Sequence, residues 1–392
     1  MLLIVMLAAL HAAAPTPAEL YAPLPAQVAQ ATGRAFQHVP PLQEITQAAY
    51  TASVRADLSA AMRAAGATPA LIEEMLPDDV IGPGTLLAVY SPQRRTVYLL
   101  EDAVAALRQQ PALPPAMVAP LVQCVLAHEL VHALQHEAGL VDPRLLRRAD
   151  PMHQALLEGH AEWASAPLCT PAARGYLNLL HGGDRIWSQQ QDPVVQRYTI
   201  APLYFASTAE TPADGWRVFS APPAHLGTVV GSYAPLTAAL VERCASVLQA
   251  LRLQAPGGLE DLMAALYGVP AGASVSRSAT PRLLGAVGAV GFEAADRLLA
   301  AHSIQRPLSS DTMVEVSALR FADAAAPGAL LAAAQAQGGG LRRGVVSFVD
   351  PLDGTRLHWW AEDTLLVSIR EAGTTVPRRR LRAAIRQAPD AD

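Results

Sequence analysis

The stretch Cys124-Val-Leu-Ala-His128-Glu129-Leu-Val-His132-Ala-Leu-Gln135-His136-Glu137 decides how this chain is read. Pro114-Pro115 stand before it and Gly139 just after, the usual punctuation of a helix start and stop. On a helix, residues four apart leave the same face about one turn apart. His128 and His132 can therefore bring two ring nitrogens to one Zn2+ at roughly 2.0–2.1 Å. Glu129 is rotated about 100° from His128, which sets it beside the metal, where it can take a proton from a bound water. Imidazoles inside an apolar helix need a hydrogen-bond or metal partner, and two stacked on one face are most simply satisfied by a shared cation. Cys124 and His136 extend that stripe by a turn each way, Cys124 as a packing residue and His136 at the rim.

Catalytic zinc usually keeps three protein ligands and one open position, so a third ligand is required. The segment Ala155-Leu-Leu-Glu158-Gly159-His160-Ala161-Glu162-Trp163 lies on a second helix, expected from Pro151 to Ala166. Glu158 sits in a run that otherwise reads as core, and a carboxylate there should be paired or metal-bound. Gly159 allows close helix approach. Glu162 shares the face of Glu158 and can accept the far N–H of His128 or His132, fixing the ring.

These residues make the chain resemble the zincin metallopeptidases, and among them the gluzincins, the thermolysin-like group with His-Glu-x-x-His and a distant Glu. The match is His128-Glu-Leu-Val-His132 followed by Glu158, with Glu162 in the place of the supporting acid. It is similar also to secreted bacterial proteins carrying "His-Glu-Leu-x-His-Ala-Leu-Gln" and "Ala-Leu-x-Glu-Gly-x-Ala" helices, here His128 to Gln135 and Ala155 to Ala161. His160 departs from that pattern, where an acidic or small residue is more usual. The likeness covers roughly residues 85–223. It implies a zincin-like α+β fold, a Zn2+ cofactor, and a substrate main chain lying along an edge strand, either 85–90 or 96–100. It implies a metallopeptidase in which Glu129 is the general base for zinc-activated water. Tyr198, His181 and His225 are the candidate donors to a tetrahedral oxyanion. Two other readings share the residues: a zinc hydrolase of a non-peptide amide or ester, and a non-catalytic, metal-stabilised interaction protein closed by His153 or His160.

Composition sets the frame. Of 392 residues, 51% are hydrophobic and 16% charged, enough apolar surface to exclude a mostly disordered chain. A net charge of −5, with all 29 cationic residues Arg, argues against a nucleic-acid partner; the peptide or protein substrate is what the resemblance to metallopeptidases implies. Three cysteines cannot all pair within one chain, so a disulfide scaffold is not expected. Residues 2–14 form an apolar run too short to span a bilayer, followed by a small-residue cleavage pattern at Thr16-Pro17-Ala18. The first Arg is Arg34, so the basic lead-in is missing; the expectation is export, with 1–18 as a signal peptide or an uncleaved tether. No transmembrane bundle is expected.

Around the motif, 22–41 reads as a linker, 42–65 as a helix, and 85–90 with 96–100 as a hairpin. Residues 171–180 read as a further helix. A zincin-like domain is assigned to 19–231 and a mixed α+β domain to 232–392. In the latter, 236–253, 259–266 and 292–301 read as helices and 312–319 as a strand. The runs 344–350, 355–361 and 364–370 read as an antiparallel meander turning at Asp353-Gly354 and Glu362-Asp363. Arg378-Arg379-Arg380 and Arg382 suggest a basic, solvated terminal helix.

Overall fold

The structure is a computed structural model that describes residues 15–64, 66–76, 86–111, 113–141, 150–181, 196–223, 226, 234–251, 274–275, 279–309, 312–342, 344–373, 376 and 380. The elements of the first half are α1 (Pro17–Tyr21), α2 (Leu24–Thr32), β1 (Leu42–Ile45), α3 (Gln47–Ala64), α4 (Pro69–Met75), β2 (Ala88–Ser91), β3 (Thr96–Leu100), α5 (Glu101–Arg108), α6 (Val118–Glu137), α7 (Pro151–Ser165), α8 (Pro171–Leu180) and α9 (Ala201–Thr208). A π-helical turn, Gln196–Ile200, leads into α9. The second half holds α10 (Ala234–Leu251), β4 (Ser274–Val275), α11 (Ala279–Gly285), α12 (Ala289–Ala295), β5 (Leu298–Ser309), β6 (Thr312–Phe321), α13 (Ala325–Ala336), β7 (Gly340–Arg342), β8 (Val345–Val349), β9 (Arg356–Glu362) and β10 (Leu365–Ala372).

The fold is α+β, with two sheets among the described residues. The small one has the order β1-β3-β2, β1 running parallel and β2 antiparallel to β3. The large one has the order β4-β5-β6-β10-β9-β8-β7 and is antiparallel throughout. Strand side chains alternate between faces, and both faces of the large sheet are covered. Val316, Val367 and Ile369 pack with Leu240, Cys244 and Val247 of α10. Leu319, Trp359 and Leu366 face the other way, into the main core. That core runs without a break from Leu126, Leu130 and Leu134 of α6 to the sheet, crossing residue 231. Helices α8 and α12 cross so closely that a Cβ at Gly175 would meet the Phe292 carbonyl at 1.8 Å. Arg174 of α8 clamps Asp296 with two bonds of 2.8 and 2.6 Å.

The motif helix ends as its sequence dictates. Gly139 adopts φ 74°, its N–H bonds the His136 carbonyl at 2.9 Å, and the Leu140 N–H reaches the Gln135 carbonyl at 2.9 Å. This is the paired C-terminal closure that a left-handed glycine permits. Helix α7 starts on Asp150, whose side chain accepts from the Met152 N–H at 3.1 Å, with Pro151 in the first turn.

Several expectations need correction. The stretch read as linker holds α2, whose Leu24 and Val28 are fully buried in the main core. Residues 42–45 are not helical; they form β1 beside β3. The helix begins only after Thr46, whose hydroxyl accepts from the Ala49 N–H at 3.2 Å. Residues 298–301 begin β5, because their backbone pairs with β6 and that pairing outweighs the local helix preference of Leu and Ala. The expected helix at 259–266 and the 1–14 segment lie outside the described residues, as does the basic terminal run except Arg380. Helix α1 opens at Pro17 with Thr16 and Glu19 capping each other.

Candidate metal centre

Three side chains from two helices meet at one point. His128 Nε2 lies 2.9 Å from His132 Nε2, and Glu158 Oε2 lies 3.2 Å from each. His128 and His132 come from one face of α6, Glu158 from the middle of α7. The group is the donor set that zinc takes, two imidazole nitrogens and one carboxylate oxygen. Tetrahedral ligands at about 2.0–2.1 Å from a zinc would stand about 3.3 Å apart, close to the spacings seen. Two like-directed imidazole nitrogens in contact otherwise need a proton between them, so the arrangement fits a cation.

The helix approach that brings Glu158 here is not the one anticipated for Gly159. That glycine faces α9, where an added Cβ would lie 2.3 Å from the Ala201 Cβ. It lets α9 press on the back of α7 and hold the carboxylate against α6.

Burial and charge act in opposite directions on the cluster. Burial disfavours the His132 cation, but Glu158 outweighs it and raises this imidazole to about 9. His128 goes the same way: burial opposes its charge, and the Glu158 contact prevails. For Glu158, burial favours the neutral acid, yet the two imidazoles hold the carboxyl well below its ordinary range. Without a metal the trio is a proton-sharing site, and a dication would displace those protons.

Glu129 is buried beside the trio. Its Oε2 accepts from the Tyr90 backbone N–H of β2 at 2.6 Å. Burial raises its carboxyl above the ordinary value, partly offset by the two imidazoles. The Leu100 N–H bonds the Leu87 carbonyl at 2.8 Å, so by the two-residue alternation Ala88 and Tyr90 point their backbone groups away from β3. Since β2 is, among the described residues, an outer strand of the sheet and β3 its centre, 88–91 is the edge beside the site and 96–100 is not.

The flanking residues divide into those that touch the trio and those that do not. Glu162 Oε1 stands 3.5 Å from His128 Nδ1, on the far side of that ring. Tyr198 lies over His128, with ring centroids 6.2 Å apart. His181 stacks on Tyr198 at 4.4 Å and lies 3.9 Å from Glu162, one layer back. His225 is outside the described residues. Neither candidate for a fourth ligand joins the trio: His153 donates from Nε2 to the Leu140 carbonyl at 2.9 Å, and His160 is boxed among aromatic rings. Burial lowers the His160 imidazole to about 4, so it is neutral near pH 7. His136 is half-buried and bonds the Tyr90 hydroxyl at 2.9 Å, a rim position.

Two features were not foreseen. Gln135 is fully buried and accepts from His132 Nδ1–H at 2.7 Å through Oε1. Its signal was present in the sequence: a Gln three residues after His132, on the buried side of an apolar helix. Cys124, expected as packing, forms a disulfide with Cys169, just past α7. The pair ties α6, one turn before His128, to the segment that follows α7. Only Cys244 remains a free thiol, buried under the large sheet.

A cleft of about 100 Å3 opens onto His128 and Glu129 between Leu87 and Ala88 on one side and Leu177, His181 and Tyr198 on the other. A larger cavity of about 400 Å3 shares Cys124, Glu162 and Tyr198 with it and reaches Asp296 to Leu299. No family model, curated protein or solved structure matches this chain.

Proposed function

We propose that this chain is a zinc-dependent hydrolase of the zincin type, a metallopeptidase that acts outside the cytoplasm on peptide or protein substrates. The observation that carries the reading is the meeting of His128, His132 and Glu158 with Glu129 alongside. A core site would not gather four ionisable groups in contact unless something compensated their burial. His128, His132 and Glu158 would hold a zinc ion, which would supply Lewis-acid chemistry to a carbonyl and to water when bound. Glu129, with one oxygen fixed by Tyr90, takes the proton of the attacking water on the other and passes it to the departing amine. Tyr198, already at the trio, is the donor placed to meet the oxyanion. A peptide substrate is favoured by the outer position of β2 beside the site. An extended chain laid there would bond Ala88 and the Tyr90 carbonyl, beside Glu129. The Cys124–Cys169 disulfide supports the export reading, because such bonds persist in oxidising compartments.

The test is to purify the protein, measure its zinc content, and assay it on a peptide library alongside Glu158→Ala and Glu129→Gln. Zinc should be stoichiometric in the wild type and in Glu129→Gln and lost in Glu158→Ala, with hydrolysis lost in both variants. Full hydrolysis by Glu129→Gln would remove the general base. Stoichiometric zinc in Glu158→Ala would remove the third ligand.

A further inference from the structure

His132 can offer zinc its Nε2 lone pair only while its proton sits on Nδ1. What fixes the proton there lies behind the ring. Gln135 Oε1 accepts from Nδ1 at 2.7 Å. The same amide donates from Nε2 to the Leu157 carbonyl at 2.8 Å and towards His160 Nδ1 at 3.2 Å. Rotating the amide by half a turn would set its oxygen against a carbonyl oxygen and a ring lone pair, in a fully buried place where such repulsion is costly. The amide direction is therefore set by two acceptors, and His160 is one of them.

His160 is itself held. It is fully buried, walled by Trp163, Phe205, Trp216 and Phe219. These rings leave its two nitrogens little polar company. Nδ1 faces the Gln135 amide at 3.2 Å, and Nε2 is buried with no hydrogen-bond partner among the described residues. Because the Gln135 NH2 can only donate, Nδ1 carries the lone pair and the neutral ring's proton sits on Nε2.

We infer that His160 and Gln135 form a positioning relay that fixes the tautomer and ring direction of His132, so that His160 tunes metal affinity without touching the metal. The inference rests on the metal-centre reading above and adds to it a residue one layer further out. Neither residue touches substrate or reacting atoms. The role is to hold one nitrogen of one ligand ready, and interactions of this kind are worth roughly 10–100-fold in metal affinity.

The experiment measures zinc affinity of the full chain by competition with a chromogenic chelator, with Co2+ absorption as a second readout. The proteins are the wild type, His160→Phe, Gln135→Leu and the double variant; phenylalanine keeps the aromatic packing and removes the acceptor. Each single change should weaken zinc binding roughly 10–100-fold. The double should be no weaker than Gln135→Leu alone, because His160 acts through Gln135. Wild-type affinity in His160→Phe, or losses that multiply in the double, would overturn the relay while leaving the metal site standing. Absence of zinc binding in the wild type would instead remove the site and the relay together. If His160→Phe fails to fold, histidine 15N spectra of the zinc-loaded wild type decide. The relay requires His132 protonated on Nδ1 and His160 on Nε2, and a His160 proton on Nδ1 would refute it.

Discussion

Removing the Cys124–Cys169 bond should lower the stability of the whole chain by an amount its place in the sequence sets. The two cysteines are 45 residues apart. Releasing a loop of that length returns to the unfolded chain an entropy worth about 4 kcal/mol at room temperature. For 392 residues, the unfolding entropy is on the order of 0.8 kcal/mol/K, which places the shift in midpoint near 5 °C. The assay is calorimetry of metal-free protein, oxidised against reduced with a dithiol, and of a Cys124→Ala, Cys169→Ala double variant. Thiol titration in denaturant without reductant should count one thiol, Cys244. Equal midpoints for oxidised and reduced protein would refute the loop-entropy argument, and a count of three thiols would refute the bond itself. The loss should also reach the site, since the bond ties α6 to the segment after α7 one turn from His128.

Other consequences follow from the same geometry. The metal-free protein should be most stable near pH 6.5. His132 is raised from 6.5 to about 9, so its contribution is full below 6.5 and is lost as pH rises towards 9. His160 is lowered from 6.5 to about 4, so its contribution is lost as pH falls over that interval. Zinc needs deprotonated ligands, so the gain in melting temperature on adding zinc should widen between about pH 6.5 and 9; a gain independent of pH would count against the trio as ligands. Glu162→Gln, which changes the group facing His128 Nδ1, should weaken zinc roughly 10–100-fold in the chelator competition. Tyr198→Phe should lower kcat on a peptide substrate roughly 100-fold or more with zinc content unchanged, and an unchanged kcat would dismiss it as the oxyanion donor. Gly159→Ala should cost about 1–3 kcal/mol in a melting experiment through its clash with Ala201.

Much of the site was legible before any coordinates. The four-residue spacing of His128 and His132 on an apolar helix forces a shared face, and Glu158 in an apolar run demands a partner. Those are short-range arguments, and helix geometry converts them directly into positions. Less visible were contacts whose partners lie far along the chain. Cys169 gives no hint of Cys124, and nothing local says that the amide of Gln135 turns to His132 while His160 waits behind it. The meander of β8, β9 and β10 was readable from its turns, at Gly354 with φ 72° and Asp363 with φ 51°.

Sequence alone determined the helices that carry the site, their start and stop signals, and the chemistry of the groups they present, because each depends on residues within a turn or two. Tertiary structure decided which strand is an edge, that 298–301 is a strand and not a helix, and that one core joins the two halves. It also decided that α9 presses on Gly159. Each of these turns on which distant surface pairs with which, and backbone pairing and close packing between remote segments leave no periodic trace in the residues that make them.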